Sequence, residues 1–415
     1  MEFIRLINHA VSVMFLIFYF YQFVYVLVPF LLKDRRTKET VLHKYAVLIS
    51  ARNESKVISA LVDSIKNQTY PGELIDIFVV ADNCTDNTAE IARNAGAIVF
   101  ERFNKEEVGK GFAIDFLYGK ILENYGNVHD GFFIFDADNL LDPNYITEMN
   151  KTFSDGYKII TSYRNSKNFD SNWISAGYAL WFLRESQFLN YPRMLLGTSC
   201  AVGGTGFLFH RSIIEKKGGW KFFLLTEDIE FSVQNVIDGE TIGYCKTAII
   251  YDEQPEKFSQ SWKQRLRWAK GFLQVFQNYG ADLIKNIFKK KSFACYDMTL
   301  TIVPAIFLTV LTSLINVVYA VYRWLSGMSI TAILGILFQG FGNMYLILFA
   351  LGVITTISEW KNISSSSVKK IAYTFTFPIF IFTYIPITFV ALFKNVKWEQ
   401  IEHVRSKTID EIKGK

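Results

Sequence analysis

Residues 10–32 contain no charged side chain, and no other feature restricts the fold of this chain as much. About 20 consecutive apolar residues let a helix cross the roughly 30 Å hydrocarbon core of a bilayer. A cleaved signal peptide is the competing reading, but the run is too long for one and has no small-residue cleavage site. A membrane anchor is expected instead. The basic cluster "KDRRTK" at 33–38 would hold the next domain on the cytoplasmic side. Apolar runs return at 299–321, within 327–358 and at 371–393. They account for a composition that is 50% hydrophobic and only 20% charged, more apolar than an ordinary soluble enzyme.

Residues 43–257 read differently. Short β-branched or aromatic runs, "YAVLIS" at 45–50, "IDIFVVA" at 75–81, "GFFIF" at 131–135 and "KIITSY" at 158–163, alternate with helical stretches near 54–66, 86–95 and 111–123. Such alternation predicts an α/β domain with a mostly parallel sheet covered by helices. From 258 onward, Phe258, Trp262, Leu266, Ala269, Leu273 and Phe276 recur at helical spacing among Lys263, Arg267 and Lys270. A basic, aromatic-rich amphipathic helix suits the membrane interface. The alternative is a surface helix packed on the domain.

The chain thus divides into a transmembrane anchor (1–38), a soluble domain (39–257), amphipathic interface helices (258–296), a helical membrane bundle (297–394) and a basic tail (395–415). Three single spans after the soluble domain would place that tail outside, against the positive-inside tendency. A re-entrant piece within 327–358, where Gly340 and Gly342 interrupt the run, would restore the topology. The net charge of +5 gives no reason to expect nucleic acid. Cys84, Cys200, Cys245 and Cys295 lack C-x-x-C spacing, so neither a disulfide framework nor a zinc site is indicated, and a reducing cytosolic face suits them.

The chemistry gathers behind the strands. "ARNES" follows the first, "ADNCTDNT" the second and "DADN" the third. Ligands of open parallel sheets bind outside the carboxyl ends of the strands. Any one of these clusters alone reads as a cap or turn, but three after consecutive strands converge on one crevice. In "DADN", Asp136 and Asp138 offer two carboxylates to a hard cation such as Mg²⁺ or Mn²⁺ that leaves room for phosphate oxygens. Lys110, between glycines in "VGKG", is a candidate phosphate contact. "LLTEDIEF" at 224–231 sets Glu227 and Asp228 in apolar surroundings, where burial raises a carboxylate towards a useful general base. The plain alternative is a helix start capped by Thr226. "QRLRW" at 264–268 combines an Arg fork and an indole, suited to a diphosphate and a sugar ring. His9, His129 and His210 show no metal-like spacing.

With "ARNE", "ADNCTDNT", "DAD", "TED" and "QRLRW" in this order between an anchor and a membrane bundle, the chain resembles the membrane-embedded family 2 glycosyltransferases. Cellulose, hyaluronan and poly-N-acetylglucosamine synthases belong to that group. The resemblance implies a GT-A fold and inverting transfer from a UDP-sugar, UDP-glucose or UDP-N-acetylglucosamine. It implies that Asn53, Glu54 and Asp82 line the uridine pocket, that Lys110 approaches the diphosphate, and that Asp136 faces the nucleotide. Asp138 would ligate Mg²⁺ or Mn²⁺. Asp228 would be the general base, with Glu227 beside it as a second catalytic candidate. Gln264, Arg267 and Trp268 would cover the donor, and Gly204 and Thr205 in "CAVGGTGFLFHR" would lie in the acceptor region. "ADNCTDNT" departs from the commoner D-D-G-S wording, so only Asp82 carries over there.

The function so implied is a processive polysaccharide synthase of the cell membrane that extends and exports a β-linked polymer from a cytoplasmic catalytic domain. The alternative is a non-processive transferase loading sugar onto a lipid carrier. A transporter or scaffold would need neither D-x-D nor T-E-D. Expected partners are the UDP-sugar, a polysaccharide or oligosaccharide acceptor and membrane lipids, with room for a homo-oligomer or an accessory export subunit.

Overall fold

The computed structural model describes residues 2–33, 39–302, 304–401, 403 and 408–413. Most of the basic cluster at 33–38 therefore lies outside the described residues.

Eight strands form one sheet in the order β3-β2-β1-β4-β7-β6-β8-β5. They are β1 (Tyr45–Ala51), β2 (Ile75–Asp82), β3 (Ile98–Arg102), β4 (Gly131–Asp136), β5 (Leu140–Leu141), β6 (Ile159–Ser166), β7 (Phe207–His210) and β8 (Ile242–Asp252). β1, β2, β3 and β4 are mutually parallel, while β7 runs antiparallel between β4 and β6. Alternate residues of a strand point to opposite faces, which explains the two cores. Leu48, Phe78, Val80 and Ile134 face one side, and Val47, Ile49, Val79, Phe133 and Phe135 face the other. Burial on both faces is what makes these strands read as continuous apolar runs.

The helices are α1 (Glu2–Leu31), α2 (Ile58–Lys66), α3 (Thr88–Asn94), α4 (Lys110–Tyr125), α5 (Tyr145–Ser154), α6 (Trp173–Glu185), α7 (Tyr191–Leu195), α8 (Ser212–Glu215), α9 (Glu227–Asp238), α10 (Phe258–Lys289), α11 (Phe293–Ile302), α12 (Pro304–Leu325), α13 (Ile330–Ser358), α14 (Ser367–Phe382) and α15 (Tyr384–Phe393). The anchor α1 is fastened by polar groups. Tyr21 and Tyr25 each donate to Asp297 of α11 at 2.9 Å. Arg193 of α7 grips the same carboxylate at 2.8 and 2.6 Å.

Among the described residues three helices are long and apolar enough to cross a membrane, His9–Leu31, Ile330–Ser358 and Ser367–Phe393. Gly340 and Gly342 do not interrupt α13, which runs unbroken from Ile330 to Ser358. An unbroken helix satisfies its own backbone hydrogen bonds, which lipid cannot do. The last of the three packs along its length against α6 and α10. Lys369 donates to the Asp170 carbonyl at 2.8 Å and Lys270 to the Ala391 carbonyl at 3.2 Å. At the α14–α15 junction, the fully buried Arg265 donates to the Phe380 carbonyl at 3.2 Å and to Thr383 at 2.6 Å. A Cβ on Gly177 of α6 would lie 2.3 Å from the Phe380 ring, so only glycine permits this close approach. The chain beyond α15 then returns to the sheet, as the contacts of Trp398, Gln400 and His403 below describe.

Candidate active site

The parallel register aligns Ala51 with Ala81 and Ser50 with Asp136, so the three polar clusters lie side by side at the strand ends. Asn53 and Asn83 stand at φ values of +54° and +52°, a left-handed conformation that asparagine tolerates better than most residues. Asn53 Oδ1 accepts from the Thr85 amide at 2.7 Å, which ties the first two clusters together. Asp82 is buried and paired with Arg102 Nη1 at 2.7 Å. Arg102 stands opposite Asp82 in the β2–β3 register, and a basic residue ending an edge strand was the one sequence signal for it.

Lys110 opens α4 and reaches the centre of the crevice. Its ammonium meets Asp136 at 2.5 Å and the Gly204 carbonyl at 2.7 Å. Burial works against its charge, yet Asp136, Glu227 and Asp228 together hold its pKa above the ordinary lysine value. Thr205 is buried; its hydroxyl accepts from the Asp136 amide at 2.9 Å and donates to Asn139. It thereby fixes the turn that carries Asp136 and Asp138. Gly204 adopts φ +85°, and a Cβ there would lie 3.7 Å from Asp228 Oδ2.

Glu227 and Asp228 form the first turn of α9. Burial, then the neighbouring Asp228 charge, pushes Glu227 up to about 7. Burial also raises Asp228, opposed by Lys110 and Arg267. Thr226 makes no side-chain cap. Its methyl and hydroxyl instead crowd Gly271 of α10, where a Cβ would approach to 2.5 Å. On α10, Gln264 Oε1 and Arg267 Nε are shielded from solvent without a hydrogen-bond partner among the described residues. Leaving such groups unpaired costs about 1–3 kcal/mol each, so a site that holds them is arranged for a ligand. Trp268 stands edge-on to Tyr178 and Phe182, with ring centroids at 5.8 and 6.1 Å.

Asp138 is buried beside β8, and its Oδ2 accepts from the Glu253 amide at 3.0 Å. Next to it Arg164 pairs with Asp252, donates to the Gly203 carbonyl at 2.9 Å and stacks over Phe182 at 3.7 Å. Burial pushes Asp252 up to about 6. Among the described residues no three His, Cys, Asp or Glu side chains form a metal cage. The other carboxylate oxygen of Asp138 accepts a long hydrogen bond from Asn139 Nδ2 at 3.5 Å. That chemistry fits Mg²⁺ or Mn²⁺ when diphosphate oxygens complete the coordination.

The C-terminal tail closes one side. Arg52 stacks on Trp398 at 5.1 Å, and Gln400 donates to the Arg52 carbonyl at 2.7 Å. His403 meets Glu54 at 3.0 Å and Asp138 at 3.9 Å. Burial lowers the pKa of His403, but Asp138 and Glu54 overcome this and lift it to about 10. Glu54 is raised to about 7, chiefly by burial, with His403 opposing. Sequence reasoning missed His403, since nothing in a lone histidine 349 residues away signals such a contact.

An open α/β sheet with these groups at its strand ends, joined to apolar helices, defines a membrane-associated sugar transferase of the GT-A type. The family described as "glycosyltransferase like family 2" matches residues 43–271, and the chain belongs to that family. It is 26% identical over 304 residues to a probable glycosyltransferase of Bacillus subtilis (strain 168), covering 68% of this chain and 67% of that one. A beta-monoglucosyldiacylglycerol synthase of Nostoc is 24% identical, with 58% of this chain and 51% of that one covered. A poly-beta-1,6-N-acetyl-D-glucosamine synthase of Staphylococcus epidermidis is 26% identical, with 55% and 54% covered. The match thus spans only about half the length of the latter two. Among solved structures, a mannosyltransferase of Pyrobaculum calidifontis, in complex with GDP-Man and Mn²⁺, aligns over 94% of this chain and 99% of its own. The TM-score is 0.58 and the identity 15%, which shows a shared fold.

Proposed function

We propose that the protein transfers a sugar from a UDP-sugar, with inversion, to a hydroxyl of an acceptor held at the membrane surface. Asp228 takes the proton of that hydroxyl. The freed oxygen attacks the anomeric carbon from the face opposite the diphosphate, and the C–O bond to UDP breaks with its electron pair leaving on UDP. Lys110 and Arg267 steady the negative charge of the departing group, and Gln264 contacts the donor. Asn53, Glu54 and Asp82 surround the base and ribose, while Asp136 orients Lys110. Asp138 would hold Mg²⁺ or Mn²⁺, which neutralises part of the diphosphate charge when bound. The observation that carries this reading is the convergence of Glu227 and Asp228 with Lys110 and the unpartnered Arg267 Nε.

For the acceptor we favour a lipid-borne sugar or lipid carrier. Tyr178, Phe182, Trp268 and Phe380 pack together as aromatic rings where α6, α10 and α14 meet, and a growing polymer passing that way would have to part them. The second reading, a processive β-linked polysaccharide synthase with export, is favoured by the Q-x-x-R-W stretch and by the Staphylococcus relative. In either case the catalytic domain would face the cytoplasm. The test is incubation of the purified protein with UDP-glucose and UDP-N-acetylglucosamine in turn, with lipid extract or oligosaccharide as acceptor. UDP release together with a single-sugar glycolipid by mass spectrometry supports the lipid reading. A ladder of long products would replace it with the processive one, and no UDP release would defeat both.

A further inference from the structure

A cavity of about 420 Å³ lies far from the chemistry, lined by Leu196–Ser199, Gly239–Thr241 and Ser292–Ala294. Its Gly239–Thr241 wall immediately precedes β8, so it opens at the opposite end of that strand from Asp252 and Asp138. We propose that this cavity binds the phosphate headgroup of an anionic phospholipid.

Three independent features support the assignment. The lining carries uncovered apolar side chains: Leu196 is 48% exposed and Phe293 45%. Water is a poor neighbour for that surface, whereas the boundary between headgroups and acyl chains suits it. The rim also adjoins the anchor helix, because the Phe293 ring stands edge-on to Tyr21 of α1 at 5.5 Å. Charge is the third feature. Lys285, Lys289 and Lys291, from the basic stretch at 285–291 that the catalytic site does not use, are exposed and make no ion pair among the described residues. Lys290 donates to the Ile237 carbonyl at 3.0 Å.

The acidic groups nearby are mostly neutralised. Glu240, in the lining itself, is paired with Lys158 and Lys216 at 3.3 and 3.2 Å, and Asp238 with Lys217 at 2.5 Å. Asp282 alone stands one turn before Lys285. Inside the cavity wall, Thr198 Oγ1 is shielded from solvent with no hydrogen-bond partner among the described residues. A phosphate oxygen would accept a hydrogen bond from it, while the acyl chains would follow the apolar rim towards α1.

The test uses the full chain in mixed micelles of phosphatidylglycerol and phosphatidylcholine, with retained lipid counted by native mass spectrometry. Wild type should keep one phosphatidylglycerol in preference to phosphatidylcholine. Lysine near an anionic lipid surface is worth about fivefold in affinity each, so Lys285→Gln, Lys289→Gln and Lys291→Gln combined should lose roughly a hundredfold. Thr198→Val, which keeps the volume and removes only the hydroxyl, should lose about tenfold. UDP release in detergent and thermal unfolding serve as folding controls for both variants. Equal retention of the two lipids by wild type, or undiminished retention by Thr198→Val, overturns the proposal. So does inorganic phosphate that protects against thermal unfolding as well as phosphatidylglycerol does, since the ligand would then be a soluble anion.

Discussion

Asp297 holds the anchor to the catalytic domain, and removing it should detach α1 before anything else fails. Its carboxylate accepts four hydrogen bonds, two from Arg193 and one each from Tyr21 and Tyr25. The Arg193 and Asp297 side chains are only 2% and 1% exposed. Asp297→Ala would leave the guanidinium buried without its counter-charge, and breaking a buried pair on one side costs about 3–5 kcal/mol. Whole domains are stable by only about 5–15 kcal/mol, so the loss should appear as a clear drop in thermal unfolding temperature of the detergent-solubilised protein. Protease sensitivity in the segment after α1 should rise with it. The double variant Arg193→Met with Asp297→Leu removes both charges and fills the space, so it should recover most of the loss. A single variant indistinguishable from wild type, or a double variant no better than the single, would refute the reasoning.

Further outcomes are expected at the site. Asp228→Asn should reduce transfer by about 10²–10⁴ while UDP binding measured by calorimetry stays near wild type; loss of binding would contradict the role of base. Activity should vanish with chelator and return with Mg²⁺ or Mn²⁺, and Asp138→Asn should raise the metal concentration needed, so full turnover in excess EDTA would dismiss a metal there. Gly177→Ala, forcing a Cβ against Phe380, should destabilise by about 1–3 kcal/mol, and unchanged chemical denaturation would show that Phe380 moves freely. A histidine whose pKa folding has raised gives its full stabilisation below its ordinary value near 6.5 and loses it as the pH climbs through the folded value. With His403 lifted to about 10, the tail should become susceptible to limited proteolysis as pH rises through about 10, and His403→Ala should abolish that pH dependence.

The sheet was legible wherever burial made the strands continuous apolar runs, and β1, β2 and β4 begin where the hydropathy pattern starts them. The four-residue β7 and the two-residue β5 are too short to show a period, and β7 hides within the glycine-rich stretch. At the site, the order of short motifs pointed to Asp136, Asp138, Glu227, Asp228 and Arg267, because strand ends and a helix start place them locally. The partners of those residues were not legible. Arg102, Arg164 and His403 act through contacts between distant segments, and no spacing rule encodes such meetings. The 371–393 run likewise reads as a span by composition alone. Only contacts between distant segments, Arg265 and Lys270 of α10 gripping its backbone and Lys369 of the same helix reaching the Asp170 carbonyl, reveal that it packs along α6 and α10.

The return of the tail has a consequence for how the protein is made. Arg52, Asn53 and Glu54 emerge early from the ribosome, but Gln400 and His403 follow 347–349 residues later. Contacts so distant in sequence form late, and domains generally fold in the order of synthesis. The crevice at the strand ends therefore stays open on that side until nearly the whole chain, with its apolar helices, has been translated. A nascent chain halted before residue 398 would carry every candidate catalytic side chain and still lack this wall of the site.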